Sequence, residues 1–501
     1  MLRFSIYRVD ITNEARKKLK KNSIKNQLQI STLQKHFQRK MTDSKDSMQN
    51  LNNDNSATMK PNGQLTFDLA ESHFVEWAKK HSKKIESFIP TDDNSDLEVI
   101  AESIGNASFV ALSEGYHNCN EMMSLHYRII RYLIENHGFN TVLSESGLPE
   151  SRIIHDYILG EHKKSEDMWG KGLNKMYGAW KEGRQLIEFM HQYNLKHDNI
   201  LQYYGTDIGG FYKNWKTPLE SILQYLKKVD EEYHEYLFQN LRHFMNLLAT
   251  DARLKYSEQL SPSKKDDLAR ILDEAVENFN RKEEEYLSNG SYKDFQWARQ
   301  GMISMQLAEN YYRNFDNRKS PESSKYVGLN GREIAMARNS LWALKQRDDA
   351  RIIWIDHVIH TKTKSQYQDE TWGFFTPAGQ LISHVLGKDF FSIGMVYGKG
   401  KFWNQWQRPT DRFVDVVPCW HRERRSLEKS LSKCGNFNFF LNWGKAIRSS
   451  FECQYWMSST FSMRENDYFI QLEPREWNAC IYLDETNPAT EATRENTLED
   501  S

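Results

Sequence analysis

The chain has 501 residues, 39% hydrophobic and 27% charged, enough to bury one large core or two smaller ones. Lys and Arg total 67 against 68 for Asp and Glu, so no overall electrostatic case for a nucleic-acid partner exists. No apolar run approaches the ~18 residues of a membrane helix. The five cysteines are irregularly spaced and form no CxxC, which speaks against a disulfide framework or zinc knuckle and for a reducing, cytoplasmic compartment.

Residues 1–63 stand apart. Arg16, Lys17, Lys18, Lys20, Lys21 and Lys25 form a basic cluster, an Asn/Asp/Ser-rich stretch follows, and apolar residues recur at neither a helical nor a strand period. This predicts a disordered basic and polar arm. From residue 64 the pattern turns globular, with helices expected over 70–89 and 97–105 and a strand over 109–112. The next helix, over 121–136, carries Met122, Leu125, Ile129, Ile130 and Leu133 on one face, with Gly138 as its C-cap. A strand over 141–143 follows, and strand–helix–strand implies parallel strands with a right-handed crossover. Another strand, over 200–204, runs into Gly205-Thr206-Asp207.

Residues 214–325 change character, with helical periodicity, Lys/Glu pairs and no strand pattern. They read as a helical insertion between two parts of an α/β core, 64–213 and 326–488. The second part predicts a helix over 332–346, a strand over 351–355, a short helix over 379–386 and strands over 390–396 and 479–483. A polar tail occupies 489–501. The expected architecture is α/β: a three-layer α/β/α core with a mainly parallel sheet and the helical insertion.

Three of these strands stop where acid or imidazole groups begin. The first runs into Glu114 and His117, the second into Glu145, the third into His357 and His360. Strand ends of an open α/β sheet gather on one edge, where ligands bind. A neutral imidazole suits a general base that takes a proton from water, and a nearby carboxylate orients it. An acid after a buried run, as at Glu145, must be paired, hydrogen-bonded or protonated. His117, Glu145, His357 and His360 also make a reasonable divalent-metal set, although no His-Glu-x-x-His helix is present. No serine sits in a Gly-x-Ser-x-Gly elbow, and no Walker or Gly-x-Gly-x-x-Gly loop occurs.

In this order the motifs resemble the erythromycin esterase family. Leu112-Ser113-Glu114-Gly115-Tyr116-His117 is similar to its Gly-Glu-x-x-His-Gly segment, and Leu143-Ser144-Glu145-Ser146-Gly147 to its Leu-Glu-Ser/Ala block. Gly205-Thr206-Asp207, the helix from Arg332-Glu333 to Arg338-Asn339, and Ile355-Asp356-His357-Val358-Ile359-His360 match further segments. Ser113 and Asn118 stand where the family usually has glycines, and Ile355 and Val358 replace a tryptophan and an asparagine. His126 stands where members often carry an arginine, with Arg128 nearby. The resemblance implies cleavage of a small-molecule carboxylic ester or lactone, such as a macrolide ring ester, by activated water without a covalent intermediate. His117 is then the base, Glu114 and Glu145 position it, and His357 and His360 face it. Arg332, Asp207 and Arg128 become substrate-binding candidates, with Arg332 placed for developing negative charge. No cofactor is implied. Two other readings use the same residues: a divalent-metal-dependent hydrolase, and a non-catalytic binding protein whose basic arm docks an acidic partner. Nothing in the pattern fixes an oligomeric state.

Overall fold

The computed structural model describes residues 66–210, 214–316, 325–367, 374–403, 413–416, 426–444, 450–460, 462–464, 468–472 and 476–492. The arm expected over 1–63 and the tail beyond residue 492 lie outside them. Among the described residues one sheet has nine strands: β1 (Lys83–Lys84), β2 (Phe109–Glu114), β3 (Thr141–Gly147), β4 (Gln202–Asp207), β5 (Ile352–His357), β6 (Phe390–Trp403), β7 (Phe413–Val416), β8 (Phe439–Asn442) and β9 (Ala479–Thr486). Their order is β1-β8-β9-β6-β2-β5-β3-β4, with β7 against β6. The run β9-β6-β2-β5-β3-β4 is parallel; β1, β7 and β8 pair antiparallel.

Alternation along the strands sorts side chains to two faces. Val110, Leu112, Val142, Ile353 and Ile355 share a core with Leu125, Ile129 and Leu133 of helix α1 (Asn120–His137). Helices α2 (Leu148–Ile158) and α3 (Lys181–Lys196) contribute Ile154, Leu186 and Met190 to the same core. Phe109, Ala111, Leu143 and Trp354 pack on the other face. Past α4 (Tyr292–Asp316), helices α5 (Lys325–Ala343), α6 (Val358–Thr361) and α7 (Ala378–Leu386) follow, and Met336 and Ala337 of α5 and Ile382 of α7 join that second core. Buried on both sides, the parallel strands read as near-continuous apolar runs, which makes them legible. Helix α1 ends at Gly138 in the left-handed conformation, φ 68°, its N–H bonded to Leu133.

Between β4 and α5, residues Lys216 to Asp316 form six helices. Leu219, Ile222, Leu226, Leu241, Leu268, Leu272 and Phe279 cluster there into an apolar core of their own. No helix among the described residues is long and apolar enough to cross a membrane.

Some expected boundaries move. The first helix spans Phe67–His81, not 70–89, because Lys83–Lys84 pairs with β8 and Ile85 donates to the Asn438 carbonyl. Strand β9 continues past residue 483 because Glu485 and Thr486 still pair with Lys399 and Gly400 of β6. Strand β8 had no sequence signal beyond its three apolar residues, Phe439-Phe440-Leu441.

The β3–β4 register slips between Ser144 and Gly147, so three steps along β3 match two along β4. Such a bulge bends a strand and re-aims its side chains, and Glu145 lies inside it. Gly205 of β4 allows the close approach: a Cβ there would lie 2.3 Å from the Ser146 carbonyl oxygen and 2.6 Å from that of Gly147. Gly205→Ala is expected to cost about 1–3 kcal/mol by overpacking against backbone, read as a lower denaturant midpoint at unchanged slope.

Candidate active site

Four neighbouring strands, β2-β5-β3-β4, carry acids at or near their C-terminal ends: Glu114, Asp356, Glu145 and Asp207. Their register sets Glu114 opposite His357 and Ser113 opposite Asp356. Helix α5, packed on the second face of the sheet, brings Arg332 and Glu333, and α6 brings His360. All of these residues are buried, none more than 6% exposed. Their ionic contacts therefore act at low local dielectric.

His117 follows β2 on a tight turn closed by Asn118 at φ 64°. Asparagine is the non-glycine residue that best tolerates this conformation, and its side chain accepts a bond of 2.7 Å from the Trp180 indole. The turn folds His117 back so that Nδ1 donates to Glu114 Oε1 at 2.5 Å. A hydrogen is then on Nδ1, and Nε2 faces Glu145 Oε2 at 3.8 Å. Tyr177 donates to the same Glu114 oxygen at 3.4 Å.

Glu145 is the hub. Arg332 Nη2 donates to its Oε1 at 2.6 Å, and His360 Nε2 lies 3.6 Å from the same oxygen. Burial alone would raise this carboxyl, but His360, Arg332 and His117, with a hydrogen bond from Asp356, outweigh it and hold it below the usual carboxylate range. Asp356 moves the other way. Burial, the charge on Glu145 and the hydrogen bond to it keep Asp356 protonated well above its ordinary range. Asp356 also accepts from the His357 backbone and the Trp354 indole, both at 2.8 Å.

Arg332 Nε and Nη2 clamp Asp207 at 2.9 and 2.6 Å, and Nη1 contacts His360 Nε2 at 3.1 Å. Burial raises the Asp207 carboxyl and Arg332 opposes that shift. His360 Nδ1 meets Glu333 Oε1 at 2.6 Å. His357 is set differently. Its Nδ1 accepts from the Ile359 N–H at 3.3 Å and caps α6, which leaves the ring hydrogen on Nε2. The His357 ring centroid stands 4.8 Å from that of His117.

The structure thus brings together Glu114, His117, Glu145, Asp207, Arg332, His357 and His360. Arg128 does not join them. Its guanidinium is fully buried on the outer side of α1, where it binds Asp96 at 2.5 Å and the carbonyl oxygens of Ser87 and Asp93. Arg332 is likewise not a free anion donor, since its N–H groups serve Asp207, Glu145 and His360. Asp356 and Glu333 escaped the sequence reading, although Asp356 shows the same signal as Glu145, an acid closing a buried strand. The Cys119 thiol, two residues from His117, is pushed well up by burial and by the charges of Glu114 and Glu121, which disfavours a nucleophilic thiolate there.

Among the described residues, Glu145, Asp356 and His360 could together hold a metal ion, with ligand atoms within 4.8 Å of one another. His117 and His357 are not part of that group. Arg332 already hydrogen-bonds Glu145 Oε1 and His360 Nε2, so a cation would compete with a guanidinium for the same atoms. On the α1 side of the sheet a cavity lined by His126, Ser144, Tyr177 and Tyr203 offers about 20 Å³ to the centre of a water molecule. That is room for a water and too little for an ester.

A sequence model of the family described as erythromycin esterase matches residues 134–486, well over half of the chain. The chain belongs to the erythromycin esterase family. It is therefore an enzyme of the esterase class. The erythromycin esterase type II of Escherichia coli is 23% identical over 391 residues, covering 75% of this chain and 91% of that protein. A Bacillus cereus protein of known structure superposes with a TM-score of 0.69 at 17% identity, covering 84% of this chain and 99% of its own. A mutant of the erythromycin esterase EreC in its open conformation gives 0.66 at 15% identity, covering 81% and 98%.

Arg332→Met would strand two buried carboxylates and is expected to cost about 3–5 kcal/mol at pH 7. Because Glu145 titrates low in the folded state, its contribution is complete above the ordinary carboxylate range and lost as the pH falls through its folded value. The stability gap between Arg332→Met and the natural protein should therefore narrow on acidification below about pH 4, as measured by denaturant unfolding across pH.

Proposed function

We propose that the enzyme hydrolyses a carboxylic ester or lactone with His117 as general base on water and without a covalent intermediate. The observation that carries this reading is the Glu114–His117 pair, in which the 2.5 Å bond at Nδ1 leaves the Nε2 lone pair directed toward the Glu145 side of the site. Water held at Nε2 loses its proton to the imidazole as it attacks the carbonyl carbon. Glu114 stabilises the imidazolium, and Glu145 adds negative charge beside it. The tetrahedral oxyanion needs a donor, and His357, with its hydrogen on Nε2 and its ring next to His117, supplies one. Collapse expels the alkoxide, which takes the proton back from His117. Arg332 acts on Glu145 and Asp207 rather than on substrate, and Asp207 acts as its anchor. The relatives' names make a macrolide-type lactone the substrate to try first.

This reading uses no metal, since Arg332 supplies the positive charge at the donor atoms a cation would take. His117→Ala is expected to lower kcat about 10²–10⁴-fold on an ester and macrolide panel, and Glu145→Ala to lower it too. Prolonged chelation should leave the rate unchanged. Unaltered kcat in both variants would remove the assigned roles, and loss of activity on chelation with recovery on adding a divalent ion would favour the metal-dependent reading.

A further inference from the structure

The site contains a second imidazole–carboxylate pair with a different wiring. Arginine donates and never accepts, so the 3.1 Å contact from Arg332 Nη1 makes His360 Nε2 the acceptor. The ring hydrogen is then on Nδ1, where Glu333 Oε1 accepts it at 2.6 Å. The second oxygen, Glu333 Oε2, accepts the Ala378 N–H at 2.9 Å, at the first residue of α7. Glu333 is fully buried, so nothing in solvent replaces either bond.

We infer that Glu333 is a positioning residue for the reaction, acting through His360. It fixes His360 with its hydrogen on Nδ1, so that Nε2 receives Arg332 and keeps the guanidinium seated on Glu145. Only a carboxylate does this. Two oxygens meet two donors, the imidazole N–H and the Ala378 N–H. A glutamine has one oxygen for the two, and its amide would turn an N–H toward one of them. If it faced Nδ1, the ring would carry its hydrogen on Nε2 and point it at the N–H of Arg332. The inference rests on the proposed hydrolysis only for its kinetic consequence, because the tautomer is a property of the substrate-free enzyme.

Two measurements on the full chain test it. Nitrogen-15 NMR of histidine-labelled protein, with His360→Asn to assign the signal, reads the tautomer directly. A protonated Nδ1 and an unprotonated Nε2 are expected at neutral pH; hydrogen on Nε2 overturns the inference, and this spectrum decides even if a variant does not fold. In kinetics, Glu333→Gln should lower kcat by about 10–100-fold, the scale of losing a partner that orients a functional histidine, with KM nearly unchanged. Glu333→Asp, which keeps two acceptor oxygens, should recover part of the loss. The double variant Glu333→Gln/His360→Asn should be no slower than His360→Asn alone, whereas additive losses would make Glu333 a merely structural residue and overturn the inference. If the tautomer is as expected but no ester is hydrolysed, the functional reading fails and the positioning of His360 stands.

Discussion

A guanidinium that cannot lose its charge must find counter-charges wherever the fold buries it. Arg332 is 5% exposed, and the ends of β3 and β4 answer it with Glu145 and Asp207. Much else in the site follows from that demand. Glu145 remains ionised in a dry setting because the fixed charge of Arg332 and the hydrogen bond from Asp356 oppose its burial, and its charge in turn forces the neighbouring Asp356 to keep a proton. With Asp356 neutral, two carboxylates face one guanidinium. The remaining negative charge lies beside His117, where a proton arriving from water is best received.

The three imidazoles share one small volume yet are held in different states by what touches them. His117 gives its Nδ1 hydrogen to Glu114 and keeps a lone pair at Nε2. His357 uses Nδ1 to cap a helix and keeps a hydrogen at Nε2. His360 has a lone pair at Nε2, like His117, but Arg332 covers it. Acceptor, donor and anchor are thus separated by neighbours, not by residue type. Composition and spacing showed that histidines would gather here; they could not rank them, because a tautomer is decided by contacts made after folding.

The parts of the fold that could be read in advance are those where the local pattern and the tertiary environment agree. Parallel strands such as Val110-Ala111-Leu112 and Ile352-Ile353-Trp354-Ile355 are buried on both faces and so stand out as apolar runs. Helix α1 shows its face at every turn and its end at Gly138. The two-residue edge strand β1 and its short neighbour β8 carry little of that signal, because β1 exists only through its pairing with β8, more than 350 residues away. In the site, residues following strand ends were visible by position. Arg332 was visible only through the family motif around it, and the role expected for it changed once Asp207 and Glu145 were seen to occupy its donors. Arg128 was misplaced for a related reason. Its position on α1 was right, but the helix turns it outward onto Asp96, and helical phase relative to a site cannot be judged without the sheet beneath.

Asp207 closes β4 and Arg332 lies in α5, so their bidentate contact joins the point where the chain leaves the sheet to the helix that leads back to β5. The intervening hundred-odd residues hang from that clasp as an excursion with interior packing of its own. The entropy of closing such an excursion grows only slowly with its length, and the clasp fixes the return point whatever lies between. A change in the length or shape of these helices would therefore leave the reactive edge its geometry.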